Sequence, residues 1–125
     1  MDKKKVLIAS NDFEVTECAA NTIDEERFHL IYSDQASQVL LTLLDTEIDL
    51  LIFDLDLSGM TGLELIPIIR KVRPNLPLIV ISNDNSFETG REVAKHGVWL
   101  FLLKPIDQNK LESFLNYVQM QNKTN

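Results

Sequence analysis

Apolar positions along this chain fall into two patterns in alternation: short continuous runs, and longer stripes at helical spacing. Val6-Leu7-Ile8-Ala9 is the first run, a short buried strand that stops at Ser10-Asn11-Asp12, residue types that favour turns and helix caps. Val15, Cys18, Ala19, Thr22 and Ile23 then recur at i, i+3, i+4, i+7 and i+8, one face of a helix. Past the charged stretch 24–27, Phe28 to Tyr32 reads as a second strand. Ser33 or Asp34 is predicted to cap a helix striped by Ala36, Val39, Leu40, Leu43 and Leu44. Ile48 to Asp54 is the third strand, apolar enough to be buried on both faces. Thr61-Gly62 opens a third helix with Leu65, Ile68, Ile69 and Val72 on one face, and Pro67 is tolerated because it lies near the helix start.

The second half repeats the pattern. Leu78 to Ile81 is a fourth strand, ending in Ser82-Asn83-Asp84-Asn85-Ser86. Residues 87–96 form a weak helix: Phe87, Val93 and Ala94 are sparse apolar positions and Gly90 sits mid-helix, so this helix is expected to be the most mobile. Gly97 suits a helix C-terminus, with His96 beside it. Trp99 to Leu103 is the fifth strand, ending at Lys104-Pro105. Asp107 caps a last helix with Leu111, Phe114, Leu115 and Val118 buried, and Gln119 to Asn125 reads as a frayed polar tail. Five strand–helix units in strict alternation imply an α/β fold, a five-stranded parallel sheet with helices on both faces and right-handed crossovers.

Composition narrows the function classes. The 125 residues suit one domain, with a core expected over about 4–119. Nineteen acids against twelve bases, a formal charge of -7, argue against direct nucleic-acid binding, which needs clustered Lys and Arg. Cys18 is the single cysteine and fits a helix core position in a reducing compartment. No apolar stretch reaches the roughly 18 to 20 residues of a membrane span and no secretory signal opens the chain, so a soluble cytoplasmic protein without membrane contact is expected. Neither a GxGxxG fingerprint nor a P-loop is present.

The candidate chemistry lies where the strands end. In a parallel sheet all carboxyl ends share one edge, where open α/β folds bind ligands. That edge collects Asn11 and Asp12, Asp54, Ser82 and Lys104, while the second strand contributes only Ser33 and Asp34 and should lie at a sheet edge. One acid ending a strand is as readily a turn residue. Two acids, a hydroxyl and a lysine on one edge form a constellation. Asp12 and Asp54 are hard oxygen ligands of the kind Mg²⁺ takes, Lys104 is a point charge for an anion, and Asp54 could accept a phosphoryl group as an acyl phosphate. His29 and His96 lie away from these motifs and read as surface or capping residues.

These motifs, Asn11-Asp12, FDLDLSGMTGLEL around Asp54, Ser82 and Lys104-Pro105, resemble the receiver domains of bacterial two-component response regulators (the CheY-like family) over nearly the whole chain. The resemblance implies a flavodoxin-like strand order 2-1-3-4-5. It implies that Asp54 is the phosphoacceptor, supplied by a sensor histidine kinase or phosphotransfer protein, and that the chain is a signalling receiver rather than an enzyme, catalysing only its own phosphorylation and dephosphorylation. Asp12 and Asp54 would bind Mg²⁺ directly, Asp56 through its backbone carbonyl and Asn11 through water. Ser82 would be the switch hydroxyl, Phe101 the switch aromatic, and Lys104 the lysine that contacts the phosphoryl group. Asn11, where a second acid is commoner, and Asn83, where a small residue is usual, depart from the pattern. They keep open a second reading, a pseudo-receiver that acts as a phosphorylation-independent interaction module. Trp99 and Leu100 depart as well. They are expected either in an interface on the face of the fourth helix, fifth strand and fifth helix, where a homodimer could form, or, for Trp99, packed on Phe114 or Tyr117 within the monomer.

Overall fold

The computed structural model describes residues 3–123, with side chains described as far as Tyr117. Ten elements alternate: β1 (Lys4–Ala9), α1 (Phe13–Thr22), β2 (Phe28–Ser33), α2 (Ala36–Asp45), β3 (Leu50–Asp54), α3 (Gly62–Val72), β4 (Leu78–Ser82), α4 (Phe87–Ala94), β5 (Leu100–Leu103) and α5 (Gln108–Lys123). The five strands are parallel in the order β2-β1-β3-β4-β5, as expected. Among the described residues no helix is long and apolar enough to cross a membrane.

Strand periodicity divides the core into two layers. Leu7, Ala9, Leu51, Phe53, Leu78 and Val80 face α2, α3 and α4, meeting Val39, Leu43, Leu65, Ile66, Ile69 and Val93. Val6, Ile8, Leu50, Ile52, Ile79 and Ile81 face α1 and α5, meeting Val15, Ala19, Leu111 and Leu115. Every residue of β3 and β4 is buried, which is why both read as unbroken apolar runs.

Several boundaries differ from expectation. The N-cap of α2 is Gln35, with no side-chain cap bond, rather than Ser33 or Asp34; Ser33 completes β2 and is buried. Leu44 is 64% exposed and Phe87 81% exposed, so neither belongs to the core. In α4 the inward face is Thr89 and Val93, four residues apart, and Phe87 lies off that face. Ile66 is buried although the helical spacing singles out Ile68, which is only half-buried. Cys18 is half-buried against the α1/α5 layer. The backbone of α5 stays helical to Lys123, past Gln119 where a frayed tail is predicted; the predicted core contact of Val118 falls outside the described side chains, as do residues 124–125.

Two glycines shape the loop after β3. Gly59 has φ +109°, a conformation that side-chain-bearing residues rarely adopt. At Gly62 a Cβ would lie 2.6 Å from the Leu55 Cα and 2.7 Å from its carbonyl oxygen. The start of α3 therefore sits directly on the backbone that leaves Asp54.

Candidate functional site

The carboxyl edge gathers its polar groups around one ammonium. Lys104, the residue after β5, anchors its amide on the Ser82 carbonyl (3.0 Å), and its Nζ lies 2.9 Å from Asp12 Oδ2, 3.0 Å from Asp54 Oδ2 and 3.3 Å from Asp56 Oδ2. The Lys104–Pro105 peptide is cis. Asp54 is fully buried. Its Oδ1 accepts the Asp56 N–H at 2.9 Å, and its Oδ2 accepts the Ser10 hydroxyl at 2.7 Å besides the lysine. Asp12 is at once the N-cap of α1, accepting the Glu14 N–H at 2.9 Å on Oδ1, and a partner of Lys104 on Oδ2.

The electrostatics follow from this packing. Burial on its own would push the Lys104 pKa down, but hydrogen bonds to Asp12, Asp54 and Asp56 outweigh it and hold the ammonium above its ordinary value. The hydrogen bond from Lys104, helped by the Glu14 amide, holds Asp12 below the usual carboxylate range. Three carboxylates share one cation, which leaves two formal negative charges uncompensated on this edge.

That surplus, and a donor set made only of oxygens, fit Mg²⁺. Among the described residues no three acidic, His or Cys side chains close a ready-made metal cage. The arrangement suits a cation that keeps several waters and takes one or two carboxylates. The ammonium stands where positive charge is wanted. Asn11, by contrast, is exposed and turned to the loop after β3, its Nδ2 donating to Ser58 Oγ at 3.1 Å.

Ser82 ends β4 with 1% exposure, and its Oγ accepts the Asp84 N–H at 2.9 Å, which leaves its own proton available as a donor. Ser82, Asp56, Thr61, Asp84 and Thr89 line a small cleft of about 170 Å³. Asp84 is no loose solvent charge: Thr89 Oγ1 donates to it at 2.6 Å, and that bond, with those from Ser86, holds its pKa down. Phe101 is half-buried against the α2–α4 layer, its ring facing Gly90, where an added Cβ would lie 3.7 Å from Cε2. A roomier groove of about 500 Å³ runs past Arg73, Pro74, Leu76 and Trp99 at the other end of the strands, away from this chemistry.

The edge therefore brings together Asp12, Asp54, Asp56, Ser82 and Lys104 and sets Asn11 apart on Ser58. Trp99 packs edge-on against Phe114 (ring centroids 5.8 Å apart, planes at 80°), yet remains 44% exposed. Leu100 is half-buried against the α1/α5 layer, while Tyr117, tilted against Phe114 with ring centroids 6.2 Å apart, is half-exposed. Ser10, which reads in the sequence only as a turn residue, joins the site as well. The signal for it lies in strand parity: Val6-Ile8-Ser10 and Leu50-Ile52-Asp54 are parallel sets on one sheet face, one step beyond the Ala9–Phe53 pair.

A buried acid at the end of the central strand, a second acid on the neighbouring strand end and a lysine from β5, set on this strand order, define the receiver class. The family model described as the response regulator receiver domain matches residues 6–116, and the chain belongs to that family. It is a phosphoacceptor-type receiver domain of two-component signalling, and the reading as a phosphorylation-independent module finds no support. It is 30% identical over 113 residues to the DNA-binding transcriptional regulator NtrC of Azospirillum brasilense, a match covering 90% of this chain and 24% of that protein. It is 26% identical over 106 residues to the transcriptional regulatory protein GlrR of Escherichia coli K12, covering 85% and 24%. The chain thus spans about a quarter of the length of these curated relatives. Among solved structures, a response regulator receiver protein from Pseudomonas putida is 31% identical with a TM-score of 0.84, over 94% of this chain and 98% of that one. The REC domain of AraT, a response regulator from Geobacillus stearothermophilus, is 28% identical with a TM-score of 0.85, over 98% of both chains.

Proposed function

We propose that the chain acts as a single receiver unit in which Asp54 takes a phosphoryl group from the phosphohistidine of a sensor histidine kinase or phosphotransfer protein in the cytoplasm. A carboxylate oxygen of Asp54 attacks phosphorus, the P–N bond breaks, and the imidazole leaves with its electron pair and takes up a proton. The product is an acyl phosphate, which water later hydrolyses on the same domain. The observation that carries this reading is the buried Asp54 carboxylate held 3.0 Å from the Lys104 ammonium. Lys104 then meets the transferred group's negative charge instead of the carboxylate's, and the Ser82 hydroxyl donates to a phosphoryl oxygen. Asp12, Asp54 and the Asp56 carbonyl, with Asn11 through water, would hold Mg²⁺, which when bound would supply charge neutralisation for the transferring oxygens. Beryllofluoride, which mimics the phosphoryl group, tests the reading: the amide spectrum should shift in a Mg²⁺-dependent way in the wild type and not in Asp54→Ala. A silent wild type would sink the proposal.

Ser82 and Phe101 are the residues through which the site would bias α4 between two states. In support, α4 has only two inward residues, Thr89 and Val93, and it leans on the Phe101 ring at Gly90. The output would be a changed face of α4, β5 and α5 that docks a partner or a second copy, with Trp99 its anchor and Leu100 beneath it. On this reading Trp99→Ala weakens any beryllofluoride-induced self-association by at least about tenfold, the loss typical of an aromatic hot spot. Sedimentation that is the same for both proteins would remove Trp99 from the interface. Direct nucleic-acid and membrane contacts form no part of the proposed role.

Asn11 sets the affinity of the metal site. Asn11→Asp adds a carboxylate to the edge and gives up the amide bond to Ser58, so Mg²⁺ should bind tighter, on the order of tenfold. Calorimetric titration checks this, and equal or weaker binding by the variant would contradict it.

A further inference from the structure

We infer that Ser10 is a positioning residue that restrains Asp54 in its unreacted form and so slows its phosphorylation. The inference rests on the reading of Asp54 as phosphoacceptor and extends it to a residue that this reading leaves without a role. Ser10 is 4% exposed, just past β1, and its hydroxyl is fixed at both ends. It accepts the Asp12 N–H at 3.0 Å and donates its proton to Asp54 Oδ2 at 2.7 Å. The amide occupies one of the oxygen's two lone pairs, and the hydroxyl's single proton goes to the carboxylate. Oδ2 thus receives two donors, the Ser10 hydroxyl and the Lys104 ammonium, while Oδ1 receives the Asp56 amide.

Such a bond is worth most when the acceptor carries charge. A hydrogen bond to an ionised group is roughly twice as strong as one between neutral groups. When phosphoramidate is the donor, an Asp54 oxygen forms the O–P bond, the P–N bond breaks, and ammonia departs with the electron pair. The carboxylate charge is then gone from the acyl oxygens. If Oδ2 attacks, Ser10 must release it. If Oδ1 attacks, Oδ2 becomes a neutral carbonyl and the bond weakens. By either route Ser10 stabilises the reactant more than the transition state, and that difference lowers the rate. Lys104 differs, because its charge can pass to the incoming phosphoryl oxygens, whereas the Ser10 hydroxyl is bound into the β1 end by the Asp12 amide.

The test follows labelling of the intact protein by phosphoramidate and Mg²⁺ at several donor concentrations. In Ser10→Ala the rate at saturating donor should rise about fivefold to tenfold with the half-saturating concentration unchanged, as expected for loss of one hydrogen bond to a charged reactant. Ser10→Thr, which keeps the hydroxyl, should label at the wild-type rate. A wild-type or slower rate in a Ser10→Ala protein with a native amide spectrum would overturn the inference, as would an equal rise in Ser10→Thr. A measurement on the wild type guards against misfolded variants. The Ser10 hydroxyl proton should give a resolved resonance close to the Asp54 carboxyl carbon, lost when beryllofluoride binds; an unaltered resonance overturns the inference. Labelling that is absent in the wild type or persists in Asp54→Asn would overturn the phosphoacceptor reading and this inference together. Labelling confined to Asp54 with no Ser10 effect overturns the inference alone.

Discussion

Lys104→Met is expected to cost the metal-free protein about 3 kcal/mol, the usual penalty for removing one partner of a buried ion pair. Asp54 has no exposure and the lysine side chain only 14%, so neither charge can turn to water when the other is lost. The Ser10 hydroxyl and Asp56 amide remain as donors, but no cation does, and Asp12 and Asp56 are left facing Asp54 across the gap. Urea denaturation of the variant measures the loss, and the double variant Lys104→Met/Asp54→Asn should recover most of it. A loss below about 1 kcal/mol, or no recovery, would mean that the lysine is held by packing and that the acids are stable without it.

The pH dependence of this contribution has a definite sign. The folded-state pKa of Lys104 is raised above its ordinary 10.5, since the three acids outweigh the effect of burial. Its contribution is therefore complete below about pH 10.5 and is lost as pH rises through the raised value. Asp12 is shifted down from 3.8, chiefly by its bond from Lys104. That contribution is complete above about pH 4 and is lost as pH falls through the lowered value. The difference in stability between wild type and Lys104→Met should accordingly be flat across neutral pH and shrink towards both extremes.

Asp54→Asn is expected to abolish phosphoryl acceptance, a fall on the order of a thousandfold or more, because a neutral amide is a poor nucleophile where covalent transfer needs an activated one. Asp12→Asn and Asp56→Asn should still be labelled on Asp54, more slowly in the first case. The amide introduced by Asp54→Asn is not an innocent replacement. Every donor around Asp54 points inward, with Asp56 N–H on one oxygen and Ser10 and Lys104 on the other, so the new amide NH₂ must face a donor. A destabilisation of about 1–3 kcal/mol is expected from that mismatch, reduced by the relief of crowding among the acids. The fold should persist, since both apolar layers are untouched. Labelling of Asp54→Asn at the wild-type rate would place the phosphoryl group elsewhere.

Much of the fold and site is legible in the sequence because apolar periodicity carries the architecture. The unbroken runs 50–53 and 78–81 announce central strands, and four strand ends on one edge bring Asp12, Asp54, Ser82 and Lys104 together by topology alone. The misses share a physical cause: exposure and pairing depend on neighbours that periodicity does not name. Phe87 and Leu44 are apolar, yet they stand on the outer faces of their helices. Gln35 caps α2 through its backbone, with a bridge to Ser58, and this has no side-chain signature. Asn11 has an expected role at the metal through water, and its side-chain amide also ties the loop after β1 to Ser58, a contact that spacing does not name. Asp56 has an expected backbone role, and its carboxylate also reaches Lys104 at 3.3 Å. Ser10 is within reach of sequence reasoning, because alternation from Val6 and Ile8 puts it on the same face as Asp54 one rung past the last strand pair.

The phosphoacceptor assignment is tested most directly by the position of the label. Wild-type protein incubated with phosphoramidate and Mg²⁺ should gain the mass of one phosphoryl group, lose it to hydroxylamine as an acyl phosphate does, and carry it on the peptide containing Asp54. An unmodified protein, or a stable label on Asp12, Asp56 or a histidine, would contradict the assignment of Asp54 as the phosphoacceptor.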